Sequence, residues 1–324
     1  MQQLSTPFNS HFFNVDNDDI VRDVKSKGYY TCEDALEKGS VEELLGKINF
    51  DKVLINENDA GVVTANNSKY LTHCLACSEE VYNIVTSEKV LEICDKYFTK
   101  KFRLTNHRVY QTNKQNHMPW HTDNNRQTGA VFNGKHNLRG LLFMFYLSDV
   151  TKNAFQYIQS SEKISSKYSD EIYLTNKYIS DTYSKDIVTL KMKKGTFILC
   201  DTHGLHRAEP FNDAAYSRTT LLFQVDEVGD EDEGHGEKNI INTAYLNNVT
   251  PLLAEYLGFG YNRSYPAFPN SSLDTLPIST ISKIQKQIIS STCIAAYKGL
   301  VKLLLPGDAL VKAKQLRWKS KLKK

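Results

Sequence analysis

Gly195-Thr196-Phe197-Ile198-Leu199-Cys200 is apolar and β-branched enough for a strand, Asp201-Thr202-His203-Gly204 has turn chemistry, and Leu205-His206-Arg207-Ala208 resumes an extended run. Working outward from this strand-turn-strand unit, β-rich runs recur at Phe102 to Tyr110, Leu141 to Leu147, Phe155 to Ile158, Ile187 to Leu190 and Thr219 to Val225. Several short strands separated by polar turns predict a β-sandwich or jelly roll. The segment 160 to 186, rich in Ser, Lys, Tyr and Asp, interrupts the series and is expected to form a helical insertion or lid.

Upstream, residues 15 to 105 read as mostly helical. Ser40-Val41-Glu42-Glu43 has the form of a capping box ahead of Leu44, Leu45 and Ile48, and Val81, Ile84, Val85, Val90, Leu91 and Ile93 make a helical stripe over 78 to 99. Downstream, the acidic run from Asp226 to Gly234 reads as a solvated loop, and residues 279 to 304 return to helical spacing before Pro306-Gly307 and a basic tail. The expected class is therefore α+β, a β core with flanking N-terminal and C-terminal helices. The expected domains are 1–238, with its core at about 100–226, and a C-terminal helical extension over 239–324.

With 324 residues, 40% hydrophobic and 24% charged, the chain is neither disordered nor collagen-like. Lys plus Arg number 40 against 37 Asp plus Glu, but the last thirteen residues hold seven of the cations and no acid, so subtracting those seven from the overall +3 leaves −4. A mildly acidic body argues against nucleic acid as a partner. The six cysteines have no framework spacing, and the lone Cys74-Leu75-Ala76-Cys77 lacks the second pair or βαβ context of a zinc or redox site. No secretory signal and no long apolar run are visible, so the expected location is cytoplasmic, with no transmembrane segment. Walker A, G-x-S-x-G and dinucleotide fingerprints are missing too.

The chemistry gathers in Pro119-Trp120-His121-Thr122-Asp123 and in the turn after Cys200. Alternate residues of an extended strand share a face, so His121 and Asp123 can present an imidazole and a carboxylate to one point while Thr122 faces away. One more imidazole completes a facial triad of two His and one carboxylate, the arrangement expected of non-haem Fe(II) oxygenases. His203 and His206 both qualify; His206 is favoured because a strand holds a ligand more rigidly than a loop tip. Twelve residues on lies Arg218, with Thr220 on its face. A guanidinium entering an apolar barrel needs an anion, and a carboxylate is its natural bidentate partner. The competing role is a surface pair with Asp213 or Glu209. His107, His117 and His136 have no acid at i+2 and are set aside as ligands.

Those residues, together with Leu141-Leu142-Phe143-Met144-Phe145-Tyr146-Leu147-Ser148-Asp149-Val150, resemble the phytanoyl-CoA dioxygenase-like branch of Fe(II)/2-oxoglutarate-dependent oxygenases. The resemblance covers roughly 100 to 226, and Lys25 to Leu45 is similar to that family's helical lead-in. It implies a double-stranded β-helix (jelly-roll, cupin-like), Fe(II) held by His121, Asp123 and His206, and 2-oxoglutarate held by Arg218 with Thr220. It further implies O2 as co-substrate, release of succinate and CO2, and hydroxylation of an unactivated C–H in a small metabolite or lipid-like substrate. The retained Asp123 speaks for hydroxylation over halogenation. Arg139, Asn106 and Arg108 are candidates to finish the pocket. Lys152-Asn153-Ala154-Phe155 stands where the family often has a Gly-Pro-containing turn.

A second reading is a non-catalytic jelly-roll protein that docks through its C-terminus. Residues 298 to 324 mix Leu300, Val301, Leu303, Leu304, Leu305 and Trp318 with nine Lys or Arg, which suits peripheral contact with anionic surfaces.

Overall fold

The computed structural model describes residues 6–48, 50, 61–65, 68–112, 119–123, 139–168, 173–213, 215–228, 239–259 and 278–322. The loop 124–138, His117, His136 and the acidic run beyond Val228 lie outside the described residues.

Helices α1 (Ser10–Phe13) and α2 (Asn17–Lys27) open the fold, followed by β1 (Tyr29–Cys32), α3 (Ser40–Lys47) and the paired β2 (Gly61–Ala65) and β3 (Ser68–Thr72). Next come α4 (Cys74–Cys77), α5 (Glu79–Val85) and α6 (Glu88–Tyr97). The β core follows: β4 (Phe102–Thr112), β5 (Trp120–His121), β6 (Gly140–Tyr146) and β7 (Phe155–Ile158). A 3₁₀ stretch (Ser161–Tyr168), β8 (Tyr173–Leu174) and α7 (Asn176–Tyr183) lead into β9 (Ile187–Leu190), β10 (Phe197–Asp201), β11 (His206–Ala208) and β12 (Arg218–Glu227). Helices α8 (Pro251–Leu257), α9 (Ile278–Leu304) and α10 (Gly307–Leu322) close the chain.

Two antiparallel sheets result, one ordered β1-β10-β6-β12-β4-β3-β2 and one ordered β8-β5-β11-β7-β9. Strand β6 shows why they pack face to face: all seven of its residues are buried, the mark of a strand covered on both sides. Its odd-numbered Leu141, Phe143 and Phe145 meet Phe197, Leu221 and Phe223 under the N-terminal helices. Its even-numbered Leu142, Met144 and Tyr146 turn the other way, against Phe155, Tyr157 and Leu190 of the smaller sheet. A third cluster, Trp120, Ile158, Leu174, Ile179 and Leu205, lies where α7 and the 3₁₀ stretch meet the small sheet.

Several expectations need correction. Residues 15 to 105 hold strands as well as the expected helices: β1 extends the large sheet beside β10, and β2 with β3 extends its other end beside β4. Ser40 does not cap α3, because Gly39 takes that place at φ 90° and accepts from the Glu43 N–H, while Glu42 is drawn to Lys194. The stripe over 78 to 99 is two helices, since Ser87 accepts from the Val90 N–H and starts α6 afresh. The 160 to 186 insertion contributes β8 to the small sheet as well as α7. Within the expected extension over 239–324, Leu253, Tyr256 and Leu257 of α8 join the first cluster.

Candidate metal centre

Strands β5 and β11 pair antiparallel with His121 directly opposite His206, and His206 in turn sits opposite Tyr157. Directly paired residues share a face, so both imidazoles point with Tyr157 toward the large sheet. Asp123 lies just past the end of β5, where its N–H donates to the Thr202 carbonyl at 3.1 Å. The carboxylate ends 3.7 Å from His121 Nε2 and 3.4 Å from His206 Nε2. One ligand atom from each of the three lies within 4.8 Å of the others, so the group could hold a metal ion.

The second layer fits the same purpose. His121 Nδ1 is 2.9 Å from the Pro119 carbonyl and His206 Nδ1 is 3.0 Å from the Gly204 carbonyl. An Nδ1–H donating to each carbonyl leaves the Nε2 lone pairs facing the carboxylate, which is how ligating imidazoles are oriented. Burial, then the neighbouring His206, pulls the His121 pKa down to about 4. Burial would raise Asp123, but His206, His121 and Arg108 outweigh it and hold the carboxyl at about 2. Burial would lower His206, but Asp123, with the Gly204 carbonyl, outweighs it and the net shift is upward. The donor set, two imidazoles and one oxygen, suits a first-row divalent ion.

His203 is held elsewhere. Its Nδ1 lies 3.3 Å from Asp201 Oδ1, and it lines a hollow of about 380 Å³ with Lys25, Tyr97, Glu162, Lys163, Asp201 and Arg139. Arg139 is therefore not brought to Arg218, which begins the strand whose far end pairs with Gly140. Trp120 is turned away from the imidazoles into the third cluster, with the Arg207 guanidinium 4.4 Å above its ring. His107 is buried with Nδ1 3.2 Å from Cys74 Sγ, while Cys77 is exposed.

Arg218, Thr220 and Leu222 alternate on β12, and Leu222 packs with the inner cluster, which fixes the inward face for all three. Arg218 is only 4% exposed. Its guanidinium donates to the Asn153 carbonyl and, at 2.9 Å, to the Tyr110 hydroxyl. The surface pairing alternative does not occur, because Asp213 takes Lys152 and Glu209 takes Lys191. Arg218 Nε, Thr220 Oγ1 and both amide atoms of Asn153 are buried with no hydrogen-bond partner among the described residues. Unsatisfied buried donors of this kind are costly unless a ligand meets them. Arg108 and Asn106 share the inward face and bond each other at 3.1 Å.

Asn153 and Tyr110 were not singled out by sequence reasoning. Tyr110 was within reach, two residues beyond Arg108 on the same strand face. Asn153 sits at φ 53°, and an Asn in a tight turn ahead of a strand is the signal it offered.

No protein-family model matches the sequence, and no curated protein matches it. Among solved structures, the chain is similar to HygX from Streptomyces hygroscopicus with nickel, 2-oxoglutarate and hygromycin B bound, at 14% identity and a TM-score of 0.48 over 65% of this chain and 87% of that one. It is similar to the epimerase SnoN in complex with Fe3+, alpha ketoglutarate and nogalamycin RO, at 14% identity and a TM-score of 0.48 over 70% and 93%. The non-heme alpha ketoglutarate dependent carbocyclase SnoK from nogalamycin biosynthesis stands at 15% identity and 0.45 over 67% and 85%.

Proposed function

We propose that this chain is an Fe(II)/2-oxoglutarate-dependent dioxygenase on a double-stranded β-helix, with residues 239–324 as its C-terminal extension. The observation that carries the reading is the convergence of His121, Asp123 and His206, with both Nε2 atoms left as lone pairs by their Nδ1 contacts. Inward-facing Arg218 and Thr220, with polar atoms unmet, support a carboxylate ligand in the same interior. Bound there, ferrous iron with 2-oxoglutarate and O2 supplies oxidative decarboxylation to succinate and CO2 and the oxidation of a substrate C–H.

The chain's own part is positional. The Pro119 and Gly204 carbonyls hold the two rings in one tautomer, and the Thr202 carbonyl anchors the backbone of Asp123. Arg218 meets the far carboxylate of the co-substrate with a charge-assisted bond, Thr220 adds a hydroxyl, and the Asn153 carbonyl and Tyr110 hydroxyl steady the guanidinium from the other side. Leu142, Met144 and Phe155 keep the interior apolar, which strengthens each of these contacts. Hydroxylation of a small metabolite or lipid-like molecule is the proposed outcome.

The test is succinate formation by the purified protein with Fe(II), 2-oxoglutarate and O2, followed by a mass-spectrometric search of cell extract for a product heavier by one oxygen. Slow succinate release without added substrate is expected. No succinate from protein shown to bind both Fe(II) and 2-oxoglutarate would favour the non-catalytic binding protein instead.

A further inference from the structure

Helix α9 leaves apolar side chains in solvent where a core helix buries them, with Ile288 and Ile294 exposed at 43% and 49%. In its C-terminal half Ile289, Cys293, Ala296, Leu300 and Leu303 follow one another at alternating spacings of four and three, which places them on one face. That face is in solvent: Ile289 is 63%, Leu300 55% and Leu303 82% exposed, with Tyr297 and Leu304 beside them at 68% each. A Cβ added at Gly299 would touch nothing within 4 Å. The side turned toward the body carries Val301 and Lys302, both half-buried, with Lys302 close enough to Lys314 of α10 to help lower its pKa, after burial.

The helix is tied down beyond its end. Pro306-Gly307 breaks the helical run, and α10 buries Leu310 and Val311. Asp308 Oδ1 accepts from the Asn176 N–H at 3.0 Å. The apolar strip is therefore presented outward by an anchored element.

Charge decides what covers it. From Ile278 to the C-terminus there are eleven Lys or Arg and one acid, Asp308, a net +10 that leaves −7 for the rest of the chain. A second copy laid strip to strip would set +10 against +10. We propose that α9 lies flat on an anionic phospholipid bilayer, its Leu300–Leu303 face in the acyl boundary, with the exposed Lys286 and Lys298 and the basic residues after Asp308 drawn to the headgroups. The 27 residues span about 40 Å in the membrane plane. No described helix is long and apolar enough to cross a membrane.

The experiment is flotation of the full-length protein with vesicles of phosphatidylcholine alone and of phosphatidylcholine mixed with phosphatidylserine. Binding to the mixed vesicles is expected to exceed binding to the neutral ones about tenfold or more, and to fall in about 1 M salt, where the Debye length shrinks to about 3 Å. The double variant Leu300→Asp/Leu303→Asp should lose flotation while keeping its circular dichroism and Tm, since both side chains already face water. Failure to float with the mixed vesicles, equal flotation with both kinds, or wild-type flotation by the double variant each overturns the proposal. So does light scattering that finds a wild-type dimer split to monomers by Leu303→Asp, because a second copy would then cover the strip.

Discussion

A single side chain can be asked a question that its neighbours do not answer for it. Replacing Arg218 by Met removes the charge-assisted contact but leaves the triad intact, so 2-oxoglutarate affinity should fall about 10- to 100-fold while Fe(II) affinity stays within about threefold, both read by calorimetry. Equal loss of both would mean that Arg218 only props up the fold. His107 poses a different question. Burial first, then His73 and Arg108, pushes its pKa down to about 3 from an ordinary value near 6.5. The unfolded chain therefore takes up a proton between those values that the folded chain refuses, and stability is lost as pH falls through that window. Substituting Gln should flatten the stability curve between about pH 6 and 4 by a few kcal/mol, measured by urea unfolding. At this scale the triad was largely legible, because residue type and strand alternation limited the choice to His203 or His206. Arg139 was placed less well. A strand terminus leaves the direction of a long side chain open, and here it turns to the hollow shared with Asp201 and His203.

Elements decide how firmly those side chains are aimed. Strand β5 is two residues long, so His121 depends on β11 for its position and β11 depends on the turn before it. Gly204 in that turn is there for close approach rather than for positive φ, which belongs to Gly195 at 82°. A Cβ on Gly204 would overlap the hydroxyl and ring of Tyr157. Gly204→Ala should therefore cost roughly 1–3 kcal/mol in chemical unfolding and weaken Fe(II) binding, because the Gly204 carbonyl that orients His206 moves with it. Adding Tyr157→Leu should recover part of the metal affinity. Strand runs were well marked in the sequence, with Phe155–Ile158 and Ile187–Leu190 forming at the expected bounds. Strands β1 to β3 were missed. Tyr29-Tyr30-Thr31-Cys32 is too short to show alternation, and only pairing with β10 makes it a strand.

At the scale of the whole molecule, segments before and after the β core share one buried cluster. Phe8 near the start and Tyr256 after the β core belong to the same buried cluster, and the Tyr256 hydroxyl donates to the Val85 carbonyl at 3.0 Å. Tyr256→Ala should lower the stability of the entire β unit by about 3–5 kcal/mol in a single calorimetric transition. A separate transition with the sheets untouched would mean that the C-terminal segment folds apart. That shared cluster was not legible in the sequence, because cluster membership is a long-range property that spacing does not carry. Within that core, the pairing of β5 with β11 in the small sheet brings His121 and His206, 85 positions apart, onto one point. Anaerobic calorimetric titration with Fe(II) of the wild-type protein and of Asp123→Ala tests this most directly. One equivalent bound by the wild type and affinity lowered at least about 100-fold in a variant of unchanged circular dichroism is the predicted result. Equal affinity in the two proteins would contradict it.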